Sequence, residues 1–318
     1  MDKYKPHVIF RNGHISTIYA GLIRPNAIVE GGQRIRLQTP DEDFLDLDFY
    51  TTESTRLVVL LHGLEGSSTR PYIQHMVNRF RREGWDALAM NFRGCSGQPN
   101  NQLRSYHSGE TGDLSLVLDW VGNHKNYKDI SIIGFSLGGN VLMKYLGECG
   151  KNTPVNLRAG VGFSVPCDLE SSNAALGRGI SKGYALRFLR TLKPKALAKN
   201  ERFPGKLDRE AIAQADSLEA FDNAFTAPVH GFNDAKDYWS RSSCLPYLER
   251  ICIPALLVQA KDDPFLSPLC FPNELIKDSP FLILDAPHHG GHVGFPNLRK
   301  GFYWSEERAF GFCSSHNT

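Results

Sequence analysis

The chain has 318 residues and a net charge of +2, and its 41% apolar and 22% charged residues are typical of an ordinary globular protein. So weak a charge argues against nucleic acid as a partner, and the longest apolar runs are far too short to span a bilayer. Seven scattered cysteines without a C-x-x-C pair, and a first stretch without an apolar signal core, predict a cytoplasmic protein with free thiols.

The predicted elements begin with two strands, residues 34–39 and 44–50, which alternate apolar and polar residues around a Pro-Asp-Glu-Asp turn. This pattern predicts an antiparallel hairpin at a sheet edge. Six short and nearly continuous apolar segments follow, and such segments are typical of strands buried on both faces of a parallel sheet. They are residues 57–61, 85–91, 130–134, 160–164, 255–259 and 281–285.

Helical patterns lie between most of these strands, at residues 70–83, 113–123, 139–148, 269–276 and 298–311. Repeated strand–helix units after an edge hairpin predict a doubly wound α/β sheet of about eight mostly parallel strands. Within the second predicted helix, Asp113 and Asp119 are expected to be a helix cap and a surface charge.

One connection, residues 166–253, is far longer than an ordinary crossover and predicts an inserted helical lid. The core is then formed by residues 1–165 and 254–318. Ile180, Tyr184, Phe188 and Leu192 recur every four residues, with nine Lys or Arg and one acidic residue between 178 and 206. Two interpretations stay open. One is a solvated helix face, and the other is a basic surface that meets acidic substrate groups or makes transient contact with a membrane or lipid aggregates.

The strongest chemical signal is the G-x-S-x-G pentapeptide centred on Ser136, between an apolar strand pattern and a helical pattern. This context predicts a nucleophile elbow, in which the serine lies on a sharp turn at the end of a strand. The turn exposes the hydroxyl at the N-terminus of a helix, whose amides stabilise an anion.

A serine hydroxyl needs a general base, and the base needs an orienting acid. In elbow enzymes the acid follows a late strand and the histidine comes nearer the C-terminus. Asp262 and Asp263 are adjacent candidates for the acid after the strand at 255–259. His292 is the favoured base because glycines around it let its loop fold back, while His288 and His289 remain alternatives.

Oxyanion stabilisation requires two preorganised amides. We expect one from Leu137, directly after the nucleophile, and the other from Leu64 in the His62-Gly63-Leu64 loop. His62 is expected to bond to backbone, and Cys95 lacks a neighbouring base. No zinc, dinucleotide or Walker motif is present in the sequence, so no cofactor and no metal are expected.

With these residues assembled, the chain resembles the α/β-hydrolase superfamily over nearly its whole length, and within it the YheT-like branch, also called the AB hydrolase 4 family. The motifs that carry the resemblance are Asn12-Gly13-His14, residues 62–67, residues 91–96, residues 134–140, residues 260–265 and residues 290–295. The resemblance implies a catalytic triad of Ser136, His292 and one of the two aspartates. The frequent G-x-x-D pattern of the superfamily favours Asp263 over Asp262.

Members of this branch resemble carboxylesterases and lipases, which implies a small-molecule acyl ester as substrate and a serine esterase of lipid-like molecules as function. Acyl transfer from coenzyme A to an alcohol is an alternative, because it uses the same acyl-enzyme. A binding protein that keeps the fold without catalysis is another. The sequence leaves the acyl chain, the head group and the oligomeric state open.

Overall fold

A computed structural model describes residues 3–27, 29–298 and 301–316. Its sheet has eight strands in the order β1-β2-β4-β3-β5-β6-β7-β8. The pairs β1–β2 and β2–β4 are antiparallel, and all other neighbours are parallel. The strands are β1 Gly32–Gln38, β2 Phe44–Tyr50, β3 Arg56–Leu61, β4 Asp86–Met90, β5 Asp129–Phe135, β6 Leu157–Phe163, β7 Ala255–Val258 and β8 Leu282–Asp285.

The predicted fold class is confirmed, because the edge hairpin and the six parallel strands all form. Their continuous apolar sequences reflect burial on both faces of the sheet. In β3, Leu57, Val59 and Leu61 join the apolar cluster on one face. Val58 and Leu60 join the cluster on the opposite face. Alternation along the strand therefore supplies both halves of the core.

Helices cover both faces of this sheet. The helices are α1 Gly13–Ile18, α2 Pro71–Arg81, α3 Gly112–His124, α4 Leu137–Cys149, α5 Leu169–Leu176, α6 Lys182–Arg202, α7 Arg209–Gln214, α8 Leu218–Phe221, α9 Ala227–His230, α10 Ala235–Ser242, α11 Asn273–Lys277 and α12 Trp304–Ser314. Apolar residues of α3 and α4 pack in one cluster, and those of α2 and α12 pack in the other. No described helix combines the length and apolarity needed to cross a membrane.

Three predictions about helical regions were wrong in detail. Residues 269–276 form a 3₁₀ turn, Pro268–Cys270, and the short α11, because Pro272 interrupts a continuous helix. The last helix begins at Trp304, later than predicted, and residues 299 and 300 of the prediction lie outside the described residues. Asp113 is neither a cap nor a surface charge: it is buried and binds Arg93 through two hydrogen bonds of 2.8 Å.

Between β6 and β7 lie the six helices α5 to α10, in the segment that the sequence predicts as a lid. This inserted segment has its own apolar cluster, which includes Leu189, Ile212 and Phe225. On α6, Leu189 is buried, whereas Ile180 precedes the helix and is 73% exposed. The four-residue apolar spacing therefore continues through the helix but not into the turn before it.

The carboxyl ends of the parallel strands meet at one edge of the sheet, which is where ligand sites form in open α/β sheets. The loops after β3, β5, β7 and β8 all begin there, and they carry the predicted oxyanion donors, nucleophile, acid and base. The topology thus brings together residues that lie up to 228 positions apart in the chain, from Leu64 to His292.

Candidate active site

Ser136 lies between β5 and α4 on a sharply bent backbone, with φ +52° and ψ −117°. A non-glycine residue in this region is strained by about 1–3 kcal/mol, so the surrounding structure must hold it there. The Ser136 amide donates to the carbonyl of Phe163 (2.8 Å), and its carbonyl accepts from the amide of Asn140 (3.0 Å). A Cβ at Gly138 would lie 2.6 Å from the carbonyl oxygens of Leu61 and His62, so only glycine lets α4 approach β3 this closely.

The hydroxyl of Ser136 faces the imidazole of His292. His292 Nε2 lies 2.9 Å from Ser136 Oγ, and His292 Nδ1 lies 3.1 and 3.0 Å from the two carboxylate oxygens of Asp263. An ionised carboxylate can only accept, so Nδ1 carries the proton and Nε2 is free to accept from the serine hydroxyl. The arrangement has the geometry of a nucleophile, a general base and an orienting acid.

The two adjacent aspartates have different environments. The side chain of Asp263 is fully buried, and Oδ1 also accepts from the amide of Phe265 (2.9 Å). Asp262 points to the neighbouring part of the histidine loop, where Oδ1 accepts from the amide of Gly291 (2.9 Å) and Oδ2 lies 3.2 Å from His289 Nδ1. Asp263 therefore contacts His292, whereas Asp262 bonds a loop amide and His289.

The loop that carries His292 is held by residues that the sequence did not single out. The amide of His292 donates to Thr17 Oγ1 (2.8 Å), and the amide of Val293 donates to Ser164 Oγ (2.8 Å). Gly13, at the start of α1, packs so closely on the acid loop that a Cβ would lie 1.8 Å from the carbonyl oxygen of Asp262. The Asn12-Gly13-His14 motif was the available signal for this contact, since only glycine fits there.

The two predicted oxyanion donors, Leu64 and Leu137, line the same cavity as Ser136 and His292. The amides beside Leu64 are occupied, because Gly63 N donates to Tyr72 Oη (3.0 Å) and Glu65 N donates to Tyr106 Oη (2.9 Å). Among the hydrogen bonds of the described residues, none has the amide of Leu64 or Leu137 as its donor. Leu137 is also the first residue of α4, so the helix dipole adds to its amide.

Two other candidates near the site have structural environments. His62 is fully buried; Nδ1 lies 2.8 Å from the carbonyl oxygen of Gly63, and the amide of Phe92 donates to Nε2 (3.2 Å). Burial lowers the pKa of His62 to about 4, so the ring is neutral and both nitrogens are occupied by backbone, as the sequence predicts. Burial raises the pKa of the Cys95 thiol to about 12, which removes it as a nucleophile.

An aromatic side chain that the sequence did not select covers the imidazole. The ring of Phe265 stacks on His292 with 3.9 Å between centroids and 19° between planes. Tyr184 of α6 contacts Phe265 in turn, at 4.9 Å. The inserted segment therefore reaches the imidazole through a single aromatic ring.

A cavity of about 460 Å³ extends from Ser136 beneath the inserted segment. This volume is within the range of small-molecule sites. Its wall is mainly apolar and includes Leu176, Phe188, Leu192, Phe221, Phe225 and Trp239. Such a wall offers apolar side chains for packing next to Ser136.

Charged side chains border one end of this cavity. Arg93 pairs with Asp41, Asp43 and Asp113, so its charge is satisfied by protein. Lys199 is buried, which lowers its pKa to about 8, and its ammonium donates to the carbonyls of Gln102 (2.5 Å) and Arg104 (3.2 Å). Lys199 therefore ties α6 to the loop after β4, and Arg93 ties the same loop to α3 and to the turn between β1 and β2.

Asp222 in the cavity wall has no basic partner among the ion pairs of the described residues. Burial raises its pKa to about 6, against the opposing effect of hydrogen bonds from Thr226 Oγ1 (2.6 Å) and Trp239 Nε1 (2.9 Å). At neutral pH the wall therefore contains a poorly solvated carboxylate, which costs folding free energy.

Asp222→Asn is expected to remove this cost. Between the unfolded pKa of about 4 and the folded pKa of about 6, the native state keeps a proton that the unfolded chain releases. Wild-type stability therefore falls relative to the variant as the pH rises through this window, by about 1–3 kcal/mol in total. Denaturant unfolding at acidic and neutral pH measures the difference. A wild-type-minus-variant difference that does not change with pH would contradict the argument.

Across the ranges that the structure describes, no group of three or more His, Cys, Asp or Glu side chains could hold a metal ion.

Comparison with known proteins finds a family model and relatives that agree with the observed fold. A family model described as alpha/beta hydrolase fold matches residues 56–294. The chain is 38% identical to Putative esterase YheT of Escherichia coli, over 90% of this chain and 85% of that protein. It is 32% identical to Phospholipase ABHD3 of Mus musculus, over 92% of this chain and 67% of that protein.

A solved structure shows the same fold at much lower identity. An esterase of Pyrococcus furiosus superimposes with a TM-score of 0.62 at 18% identity, covering 92% of this chain and 97% of that one. At this identity the likeness speaks for the fold alone.

Proposed function

The chain belongs to the α/β hydrolase fold family, and from that premise we propose that it is a serine hydrolase that cleaves carboxylic esters through Ser136, His292 and Asp263. Membership shows a hydrolase-like, esterase- and phospholipase-related protein. The assignment of the three residues and of an acyl ester is our proposal.

The observation that carries it is the line of contacts from Ser136 Oγ to His292 Nε2 (2.9 Å) and from His292 Nδ1 to Asp263 (3.0 Å). Each contact has the polarity that proton transfer requires, because the carboxylate fixes the Nδ1–H tautomer and leaves Nε2 as an acceptor. The strained backbone of Ser136 holds the hydroxyl at the N-terminus of α4.

In the first half of the reaction, Ser136 Oγ attacks the ester carbonyl while His292 Nε2 takes the hydroxyl proton. The carbonyl oxygen becomes an oxyanion, which the amides of Leu64 and Leu137 stabilise. The bond to the alcohol then breaks, His292 returns the proton to the leaving oxygen, and an acyl-enzyme remains on Ser136.

In the second half, water takes the place of the alcohol. His292 removes a proton from the water, whose oxygen attacks the acyl carbon, and the second oxyanion is held by the same two amides. Collapse releases the carboxylic acid and returns the proton to Ser136. One ester and one water give one acid and one alcohol.

The apolar cavity supports an acyl ester with an apolar chain as the substrate class. Burial of each methylene in such a wall contributes about 0.8 kcal/mol. The names of the two relatives, an esterase and a phospholipase, are in line with ester chemistry. We therefore propose that the acyl chain lies beneath the inserted segment, which acts as a lid.

Narrowing the cavity is expected to shift the preference toward shorter acyl chains. Leu192 lines the cavity, so in Leu192→Trp the larger indole fills part of the cavity volume. The kcat/KM for a long-chain p-nitrophenyl ester should therefore fall about tenfold relative to the kcat/KM for a short-chain ester. The measurement is the ratio of the two kcat/KM values, taken with monomeric substrate.

Leu186→Trp is the matched control, because Leu186 lies on the same helix, is 41% exposed and does not line the cavity. It should keep the wild-type ratio. An unchanged ratio in Leu192→Trp, or an equal change in both variants, would contradict the placement of the acyl chain.

Product analysis tests hydrolysis against acyl transfer. With purified wild-type protein, a p-nitrophenyl ester and an added alcohol, we expect free acid as the main product. If the acyl group were recovered mainly as an ester of the added alcohol, the enzyme would be an acyltransferase.

A further inference from the structure

The segment of residues 8–23 exposes an unusual number of large apolar side chains. Six of them lie between residues 8 and 23 and are 41–64% exposed: Val8, Ile9, Ile15, Ile18, Leu22 and Ile23. Isolated surface apolar residues are normal, but a concentration of this kind indicates an interaction surface.

These side chains occupy the outer face of a segment whose inner face is fixed to the protein. Gly13, Ser16 and Thr17 of α1 are buried, and Thr17 Oγ1 accepts from the amide of His292. Ile15, Ile18 and Leu22 follow at spacings of three and four residues, through α1 and the π-helical turn Tyr19–Ile23. The exposed stripe is therefore the face that this packing leaves open.

The inserted segment meets the first segment beside this stripe. His14 Nδ1 lies 3.2 Å from Tyr184 Oη, and the two rings stack at 5.9 Å. In the turn before α6, four residues ahead of Tyr184, Ile180 is 73% exposed. We call the six apolar residues together with Ile180 the docking face.

The two segments that carry the docking face contain acidic residues in neither of their sequences. Residues 3–29 and 171–200 contain no aspartate or glutamate. The exposed lysines and arginines of these two stretches are Lys3, Lys5, Arg11, Arg178, Lys182, Arg187, Arg190 and Lys195, of which Lys195 pairs with Glu65. This pattern complements an anionic surface, where each Lys or Arg adds to the attraction. It disfavours pairing with the same face of a second copy, because that would bring cations together.

The docking face is also close to the reacting groups. Thr17, on the inner side of α1, holds the backbone of His292. Tyr184, four residues after Ile180, contacts the Phe265 ring that stacks on His292. A surface that binds the docking face therefore lies next to α1 and α6, the two helices that contact His292 and Phe265.

We propose that the docking face binds the surface of an anionic phospholipid bilayer. Its apolar side chains lie among the head groups, and the exposed cations of the same two segments lie on the phosphates. The role of this contact rests on the proposed function: it brings the cavity to an interface from which an apolar ester can enter. The binding itself does not depend on catalysis.

Vesicle flotation of the full chain tests the proposal. We expect wild-type protein to float with vesicles of phosphatidylcholine and phosphatidylglycerol, less with phosphatidylcholine alone, and less at high salt. In Ile18→Glu/Leu22→Glu, lost apolar burial and added repulsion should lower the partition coefficient by about 100-fold. Turnover of a monomeric short-chain ester should stay at the wild-type level, since neither side chain contacts the site.

The matched control is Val155→Glu/Ile283→Glu, which makes the same change in net charge at two exposed apolar residues elsewhere. Val155 precedes β6, at the amino ends of the parallel strands, and Ile283 lies on β8, the last strand of the sheet. This variant should keep the wild-type partition coefficient within about threefold. Wild-type protein that stays unbound, or equal losses in both variants, would overturn the proposal.

Sedimentation velocity tests the alternative that a second copy of the chain occupies the docking face. If wild-type protein is a dimer that Ile18→Glu/Leu22→Glu converts to a monomer, the face binds a second copy and the proposal is wrong. Fluorophosphonate labelling of the same samples separates this inference from the proposed function. Labelling without vesicle binding overturns only the docking face, whereas vesicle binding without labelling or ester turnover overturns only the esterase.

Discussion

Ser136→Ala is expected to lower kcat for a p-nitrophenyl ester on the order of 10⁶-fold and to abolish labelling by a fluorophosphonate probe. Removing Oγ removes the atom that forms the acyl-enzyme, and His292 then has no proton to accept. Any residual turnover reflects the two oxyanion amides and substrate binding, which do not require the serine. Steady-state kinetics and probe labelling measure the two losses.

Ser164→Ala is the matched control for this result. Ser164 follows β6 and, like Ser136, has a φ of +52°, so both substitutions place alanine at a positive φ near the site. Ser164 Oγ accepts from the amide of Val293, so its loss disturbs the histidine loop without touching the nucleophile. This variant should still be labelled, more slowly than wild type. Full labelling of a folded Ser136→Ala protein would exclude Ser136 as the nucleophile.

Asp263→Asn is expected to lower kcat on the order of 10⁴-fold. The amide can no longer offer two acceptor oxygens to His292 Nδ1–H, so the imidazole loses the carboxylate that fixes its tautomer and stabilises its protonated form. Since Asp263 is fully buried, no solvent replaces the lost partner. The measurement is kcat at saturating ester, together with circular dichroism to verify folding.

The adjacent aspartate supplies the comparison. Asp262→Asn keeps an oxygen that can accept from the Gly291 amide, so kcat should stay within about tenfold of wild type. The resemblance favoured Asp263 and kept Asp262 as the alternative, and this pair of variants decides between them. A larger loss in Asp262→Asn than in Asp263→Asn would assign the acid to Asp262.

The fold was predictable because its signals are local and repeated. Each parallel strand is an apolar run, such as Leu57–Leu61 within β3, and the runs alternate with helical patterns. The elbow was equally visible, since Ser136 requires small neighbours on both sides of a tight turn. Helix limits were less accurate near prolines and loops, as at residues 269–276, where Pro272 divides the predicted helix.

Parts of the site could not be predicted in this way, because they depend on side chains that meet only after folding. Thr17 and His292 are separated by 275 positions, and nothing in the sequence around either residue indicates the hydrogen bond between them. Phe265 follows the acid loop, but its stacking on His292 requires the loops after β7 and β8 to lie side by side. The burial of Asp113 likewise depends on Arg93, which reaches it from another loop.

The sequence by itself determined the fold class, the nucleophile candidate and the chain order of its partners, because strand periodicity and turn chemistry are properties of short segments. Only the tertiary structure decided that Asp263, rather than Asp262, faces His292. Two adjacent side chains point in different directions, and which one meets the imidazole depends on how separate loops pack at the sheet edge. The same holds for the docking face, because exposure of an apolar helix is decided by what packs against it.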